Sequence, residues 1–365
     1  MANSQLHAAK NAKNDEFYTQ YEDIEREINA YVEYNKNVFR NKTILLPCDD
    51  PEWSNFTKYF AANFERFGLK KLVSTSYAKS SGNQQISLFE LNSPAYDVNK
   101  HENNGKLFIL ERDVNNSGRI DQDDIEFTYL QGDGDFRSAE VTQLRDEADI
   151  IITNPPFSLF REFIAWIREG GKQFAVIANQ NVYTYNEIFV LIKNNELWAG
   201  THAGDMAFKV PADTEPRETR YWEDANGQKW RSIGNATWIT NIEHGFRHTK
   251  QELMTMEQNL KYNKPLIRKL LKEYGELKYQ KYDNIDAIEV PVTEAIPIDY
   301  DGYMGVPITF IDKYNPEQFE IVDALNRYTD LDFFGVNADV QRRHSHCCNI
   351  NGKAVYKRIV IRRKG

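Results

Sequence analysis

The chain has 365 residues, 41% of them hydrophobic and 13% aromatic, with a formal net charge of -9. That is an ordinary globular composition, long enough for two domains with sizeable cores, and its acidity argues against indiscriminate coating of nucleic acid. No stretch approaches the ~20 apolar residues of a membrane span, and the polar start MANSQLHAAKNAKNDEF lacks a signal-peptide core, so a cytoplasmic protein is expected.

Asp15-Glu16-Phe17-Tyr18-Thr19 precedes a predicted helix over 21–34, with Ile24, Ile28, Tyr31 and Val32 on one face. Aromatic residues ahead of a helix either pack over a ligand or staple the helix start. Thr43 to Leu46 reads as a buried strand, 54–67 as a helix that Gly68 ends, and 70–74 as a second strand, which makes a β-α-β unit. A pyrophosphate-binding first turn is normally rich in glycine. Here the turn is Pro47-Cys48-Asp49-Asp50-Pro51, which suits a ligand without phosphates, such as S-adenosylmethionine, with Asp49 or Asp50 on its amino group or ribose. Either Asp serves equally well as a helix cap.

Residues 82–133 are irregular, with strand-like runs at 86–91 and 107–110, and 113–121 reads as a turn rather than a calcium loop. In Gly132-Asp133-Gly134-Asp135-Phe136, Asp135 is placed to accept from the donor's adenine amine and Phe136 to pack on its ring; the alternative is a plain turn with a solvated Asp.

The apolar run 149–153 predicts a buried strand, and 158–168 a helix with Leu159, Phe160, Phe163, Ile164 and Ile167 on one face. Asn154-Pro155-Pro156-Phe157 lies at the junction, the carboxyl end of a strand, where open α/β sheets bind ligands. The pattern suits methylation of an exocyclic amine, whose lone pair is delocalised into the ring and must be localised by acceptors. The Asn154 side-chain oxygen and the Pro155 carbonyl offer two. Pro155 and Pro156 fix φ and remove competing N–H donors, and Phe157 can stack on an extruded base. The plainer reading is a Pro-Pro turn with a solvent Asn and a packed Phe; the strand before it and the helix after it favour chemistry.

Further strands are expected at 174–178 and 237–242, with a helix at 187–198 between them. From Phe246 the composition shifts, which suggests two domains, 1–245 and 246–365. From Ala338 onward the bases Arg342, Arg343, Lys353, Lys357, Arg358, Arg362, Arg363 and Lys364 face one acid, Asp339. Arg342, Arg343, Lys357 and Arg358 are the candidate phosphate contacts, the alternative being a solvated basic tail. Cys48, Cys347 and Cys348 form neither a disulfide framework nor a CxxC pair, and His344-Ser345-His346-Cys347-Cys348 lacks the remaining ligands of a zinc site, so no metal is expected.

Taken together, DEFYT at 15–19, LLPCDDPEWSNF at 45–56, GDGDFRS at 132–138, TNPPF at 153–157 and YDGYMGVPITFIDKYNPEQFEI at 300–321 give a chain that resembles the EcoRI-type adenine-N6 DNA methyltransferases. The resemblance implies an α/β fold, a Rossmann-like S-adenosylmethionine-dependent core with a C-terminal target-recognition region, and a site-specific DNA methyltransferase (adenine-specific). It also implies S-adenosylmethionine as donor, and as partners duplex DNA, optionally a cognate restriction endonuclease, and no membrane, the protein being a monomer. By that likeness Asn154, Pro155 and Phe157 grip and stack a flipped adenine, Phe17, Tyr18, Thr19 and Asp49 line the methionine end of the donor, and Asp135 and Phe136 hold its adenine. The chain departs from the wider methyltransferase pattern in its glycine-free first turn and in Ser74-Thr75-Ser76, where an acid is expected. Methylation of RNA or of a protein amide, and a catalytically silent DNA-binding protein, are the competing readings.

Overall fold

The structure, a computed structural model, describes residues 18–49, 54–78, 88–91, 93–210, 214–283, 285–325 and 349–364. The chain does not divide at a single point. Met1–Asn179 and Gly200–His244 make one compact unit, while Gln180–Ala199 joins Gly245–Gly365 in the other.

In chain order the first strands are β1 (Tyr18–Thr19), β2 (Thr43–Pro47), β3 (Lys71–Ser76), β4 (Lys106–Leu110), β5 (Glu126–Tyr129), β6 (Ile150–Thr153), β7 (Gln173–Asn179), β8 (Trp198–Lys209), β9 (Tyr221–Glu223) and β10 (Lys229–Thr240). They form one sheet in the order β1-β8-β10-β7-β6-β2-β3-β4-β5, with β9 against β10. Its centre, β7-β6-β2-β3, is parallel, and β10 and β4 close that centre on its two sides as antiparallel strands. Every residue of β2 and of β6 is buried, as expected of strands covered on both faces, which is why they read as unbroken apolar runs.

The helix Tyr21–Tyr34 buries Ile24, Ile28 and Tyr31 at helical spacing. Between them Glu27, wholly buried, accepts from the Tyr31 hydroxyl at 2.6 Å and from the Thr201 amide and hydroxyl of β8. Burial pushes its carboxyl above the ordinary value, outweighing those bonds. Gly200 is required beside it, because a Cβ there would collide with the Glu27 carboxylate and the Trp238 side chain.

The helix expected over 54–67 is two, Asn55–Ala62 and Phe64–Phe67, interrupted at Asn63, whose side chain donates back to the Tyr59 carbonyl. Gly68 ends the second at φ 62. Of the strand expected at 86–91, the described part, Leu88–Leu91, is a helical turn. Glu90 in that turn is buried and meets Lys106 and His101 at 2.7 Å each and the Tyr129 hydroxyl at 2.5 Å. The helix expected over 187–198 stops at Lys193, and Trp198 already begins β8.

In the second unit β11 (Ala287–Glu289), β12 (Tyr303–Pro307), β13 (Phe319–Leu325) and β16 (Arg358–Arg363) form a sheet in the order β11-β12-β16-β13, beside the small pair β14 (Asn349–Ile350) and β15 (Lys353–Ala354). The helix Lys264–Tyr274 contributes Leu266 and Leu270, both fully buried.

Candidate active site

From β2 the chain runs outward on one side to β3, β4 and β5, then crosses back to place β6 on the other side of β2. The carboxyl ends of β2 and β6 therefore flank a topological switch point, the position at which open α/β sheets hold ligands. At that end of β2, Cys48 adopts φ 73, a left-handed conformation that glycine would take without strain. Asp49 follows it and is 6% exposed. Its carboxylate accepts from the Ser54 hydroxyl at 2.7 Å and lies 2.6 Å from the Thr153 hydroxyl at the end of β6, which is equally close to the Pro47 carbonyl. The Asp49 amide donates to the Thr75 carbonyl at 2.8 Å, and the Ser74 hydroxyl donates to the Asp49 carbonyl. β2, β3 and β6 are thus tied together through one buried acid. Ser54 serves twice, because its hydroxyl oxygen also caps the helix Asn55–Ala62 by accepting from Phe56 N at 3.1 Å.

One residue beyond Thr153, the strand gives way to Asn154-Pro155-Pro156-Phe157. Asn154 is half-buried and its Oδ1 is closed to solvent. Pro155 is buried. The Pro156 carbonyl is engaged by Leu159 N at 2.9 Å as the 3₁₀ turn Phe157–Leu159 leads into the helix Phe160–Glu169, whereas among the described residues no donor reaches the Pro155 carbonyl. Phe157 is half-buried against the edge of the main core, with part of its surface exposed.

Thr19, paired with Phe208 of β8, places its carbonyl 2.7 Å from the Asn55 side-chain nitrogen. Its hydroxyl is buried and has no hydrogen-bond partner among the described residues. A buried hydroxyl is rarely left so, and one without a partner is owed one by a ligand or water. The backbone of Tyr18 pairs with Lys209; Phe17 and the Tyr18 side chain lie outside the described residues, as do Asp50, Arg342, Arg343 and the His344 to Cys348 cluster.

Three assignments made from sequence are corrected by the packing. Phe136 is 2% exposed, with its ring 5.0 Å from that of Phe163 and 5.5 Å from that of Trp166, so it is a core residue between aromatic neighbours. Asp135 is gripped by Arg137, Nε to Oδ1 at 2.9 Å and the second nitrogen to Oδ2 at 2.7 Å, and these bonds hold its carboxyl below the ordinary range. Arg358 lies inside the second unit, where its guanidinium makes a two-pronged pair with the fully buried Glu289 at 2.6 and 2.9 Å. A charge buried at that depth is stable only when paired, and this one is not available to a phosphate. Lys357, by contrast, is exposed, 3.1 Å from the Thr184 hydroxyl. Sequence reasoning missed Ser54, Ser74 and Thr153 as supports of the strand ends. Ser54 alone left a signal, a capping residue ahead of an apolar helix.

A sequence model of the family described as "Adenine-specific methyltransferase EcoRI" matches residues 5–364. The chain belongs to this family. It is an adenine-specific DNA methyltransferase. The type II methyltransferase M.EcoRI of Escherichia coli is 41% identical over 364 residues, which span 99% of this chain and 97% of that relative. M.MpnI of Mycoplasma pneumoniae, also named a type II methyltransferase, is 34% identical over 363 residues, spanning 98% and 97%. No solved structure matches the chain. In this enzyme Asn154-Pro155-Pro156-Phe157 stands at the switch point, on the end of a wholly buried strand.

Proposed function

We propose that the enzyme transfers a methyl group from S-adenosylmethionine to N6 of an adenine swung out of duplex DNA. The observation that carries this is the carboxyl end of β6, where a proline carbonyl with no donor among the described residues adjoins an asparagine amide. The donor supplies a methyl group on a sulfonium, whose sulfur leaves as a neutral thioether. The Pro155 carbonyl and the Asn154 oxygen accept the two amine hydrogens and draw the nitrogen lone pair out of conjugation. N6 attacks the methyl carbon as the carbon–sulfur bond breaks, and the excess proton passes from N6 to solvent. Phe157 closes over one face of the base, its exposed part providing the surface for stacking.

The residues present fit the donor: the Thr19 hydroxyl has no hydrogen-bond partner among the described residues, and Asp49 puts a carboxylate at the switch point without any glycine-rich phosphate cradle. Target recognition falls to the second unit, with Arg342, Arg343 and Lys357 as phosphate contacts. As a working setting we take a monomer in the cytoplasm, with a cognate restriction endonuclease as partner.

The test is incubation of the full chain with methyl-labelled donor and mixed-sequence duplex DNA. Label on N6 of adenine at one sequence is expected. Label appearing only in RNA or protein would overturn the substrate, and DNA binding without donor binding would favour the silent DNA-binding protein.

A further inference from the structure

In nucleoside-binding open sheets, an acid beyond the second strand accepts the ribose hydroxyls. β3 holds that place here, and its end, Ser74-Thr75-Ser76, carries none. The fold brings one from another segment. Just past β3, Ala78 N donates to the Asp133 carbonyl at 2.7 Å, and Gly105 N donates to the Gly132 carbonyl at 2.9 Å. Gly134, at φ 82, lies against the Ser76 carbonyl. A Cβ on Gly105 would come within 2.6 Å of Gly134 Cα and 2.7 Å of Ser76 O. Three backbones therefore meet with no space for side chains, which is what Gly105 and Gly134 are needed for.

Asp133 is thereby fixed at the carboxyl end of β3 with its side chain exposed. Its Oδ1 accepts from Asp135 N at 3.1 Å, and the Tyr77 hydroxyl, on a residue 37% exposed, donates to it. A carboxylate has about four acceptor positions, so a vicinal diol can still be bound. Asp135, two residues on, is held by Arg137 instead. At the same strand end the Thr75 hydroxyl is fully buried and has no hydrogen-bond partner among the described residues.

We propose that Asp133, with Tyr77 beside it, binds the ribose hydroxyls of the methyl donor's nucleoside, in place of the acid that β3 lacks. This rests on the donor reading above. The test is calorimetry of the full chain with S-adenosylhomocysteine and with its 2′-deoxy and 3′-deoxy forms, for the wild type, Asp133→Asn and Asp133→Ala. The Asn variant retains the side-chain oxygen that accepts from Asp135 N, so the turn survives. Wild type is expected to bind S-adenosylhomocysteine and to lose about tenfold or more for a deoxy form, the scale of a hydrogen bond to a charged acceptor. Both variants are expected to bind S-adenosylhomocysteine about tenfold more weakly, with little further loss for the deoxy forms, and to raise KM for the donor far more than they lower kcat. Variants that bind as wild type does, or an Asp133→Ala that keeps the full deoxy penalty, overturn the proposal. A wild type that binds no S-adenosylhomocysteine overturns the donor reading itself.

Discussion

At the carboxyl end of β6 the chain leaves strand geometry with a carbonyl still to be matched, while along β16 each arginine is matched within its own unit. The Pro155 carbonyl has no donor among the described residues. In β16, Arg358 pairs with Glu289, Arg362 with Glu320 at 2.7 Å and Arg363 with Asp301 at 3.5 Å. A residue on a loop at a strand end can keep hydrogen-bonding capacity for a ligand. One that points into a packed sheet cannot, because burying an unmatched charge costs more than the fold can spare.

The comparison is broken most severely if Arg358 reads DNA after all. Arg358→Ala leaves Glu289 buried without its cation, with the Tyr282 hydroxyl still donating to it, and is expected to cost about 3–5 kcal/mol of stability, measured by denaturant unfolding. Unchanged stability with weakened DNA binding would reverse the assignment. Asn154→Ala is the converse case: kcat should fall about 10²–10³-fold, the scale for one hydrogen-bonding group at the reacting atoms, with DNA affinity and unfolding midpoint preserved. Thr153→Val removes one of the hydroxyls on buried Asp49 and should cost about 1–3 kcal/mol, together with weaker donor binding by calorimetry. Lys357→Ala, at an exposed lysine, should leave stability unchanged and lower the salt slope of DNA binding by about 1; a fall in melting temperature would place Lys357 with Arg358 instead.

The smallest effects concern two buried carboxyls of the first unit with opposite titration. Burial works to raise Glu90, but hydrogen bonds from Lys106, Tyr129 and His101 prevail and hold it below its ordinary 4.5. Its contribution is therefore complete above 4.5 and lost as pH falls through the lower folded value. Glu27 is raised, so its contribution is greatest below 4.5 and declines as pH rises through the folded value. Unfolding curves taken on both sides of 4.5 should show Glu90→Gln removing an acid-side loss of stability and Glu27→Gln removing a decline on the other side.

Much of the first unit was legible because its signals are local. The unbroken apolar runs at 43–46 and 150–153 mark strands covered on both faces, and the spacing of Ile24, Ile28 and Tyr31 marks a helix with one buried side. Asn154 to Phe157 could be placed at a strand end for the same reason. In the sequence Asp135, not Asp133, reads as the ligand, since neither the grip of Arg137 nor the approach of Ser76 leaves a local mark. The basic run near the C-terminus was legible as charge and not as partnership, since Glu289 lies far from Arg358 in the chain.

By itself the sequence determined the α/β character, the family, and the placing of Asn-Pro-Pro-Phe between a strand and a helix, all of which depend on hydrophobic period and on short motifs. Only the tertiary structure decided which polar groups remain available: Asp49 shared among three strands, Asp135 taken by Arg137, Arg358 taken by Glu289, and Asp133 carried onto the end of β3. The reason is physical: whether a hydrogen-bonding group is spent depends on what lies within about 3 Å of it, and in a folded chain that neighbour is seldom a neighbour in sequence.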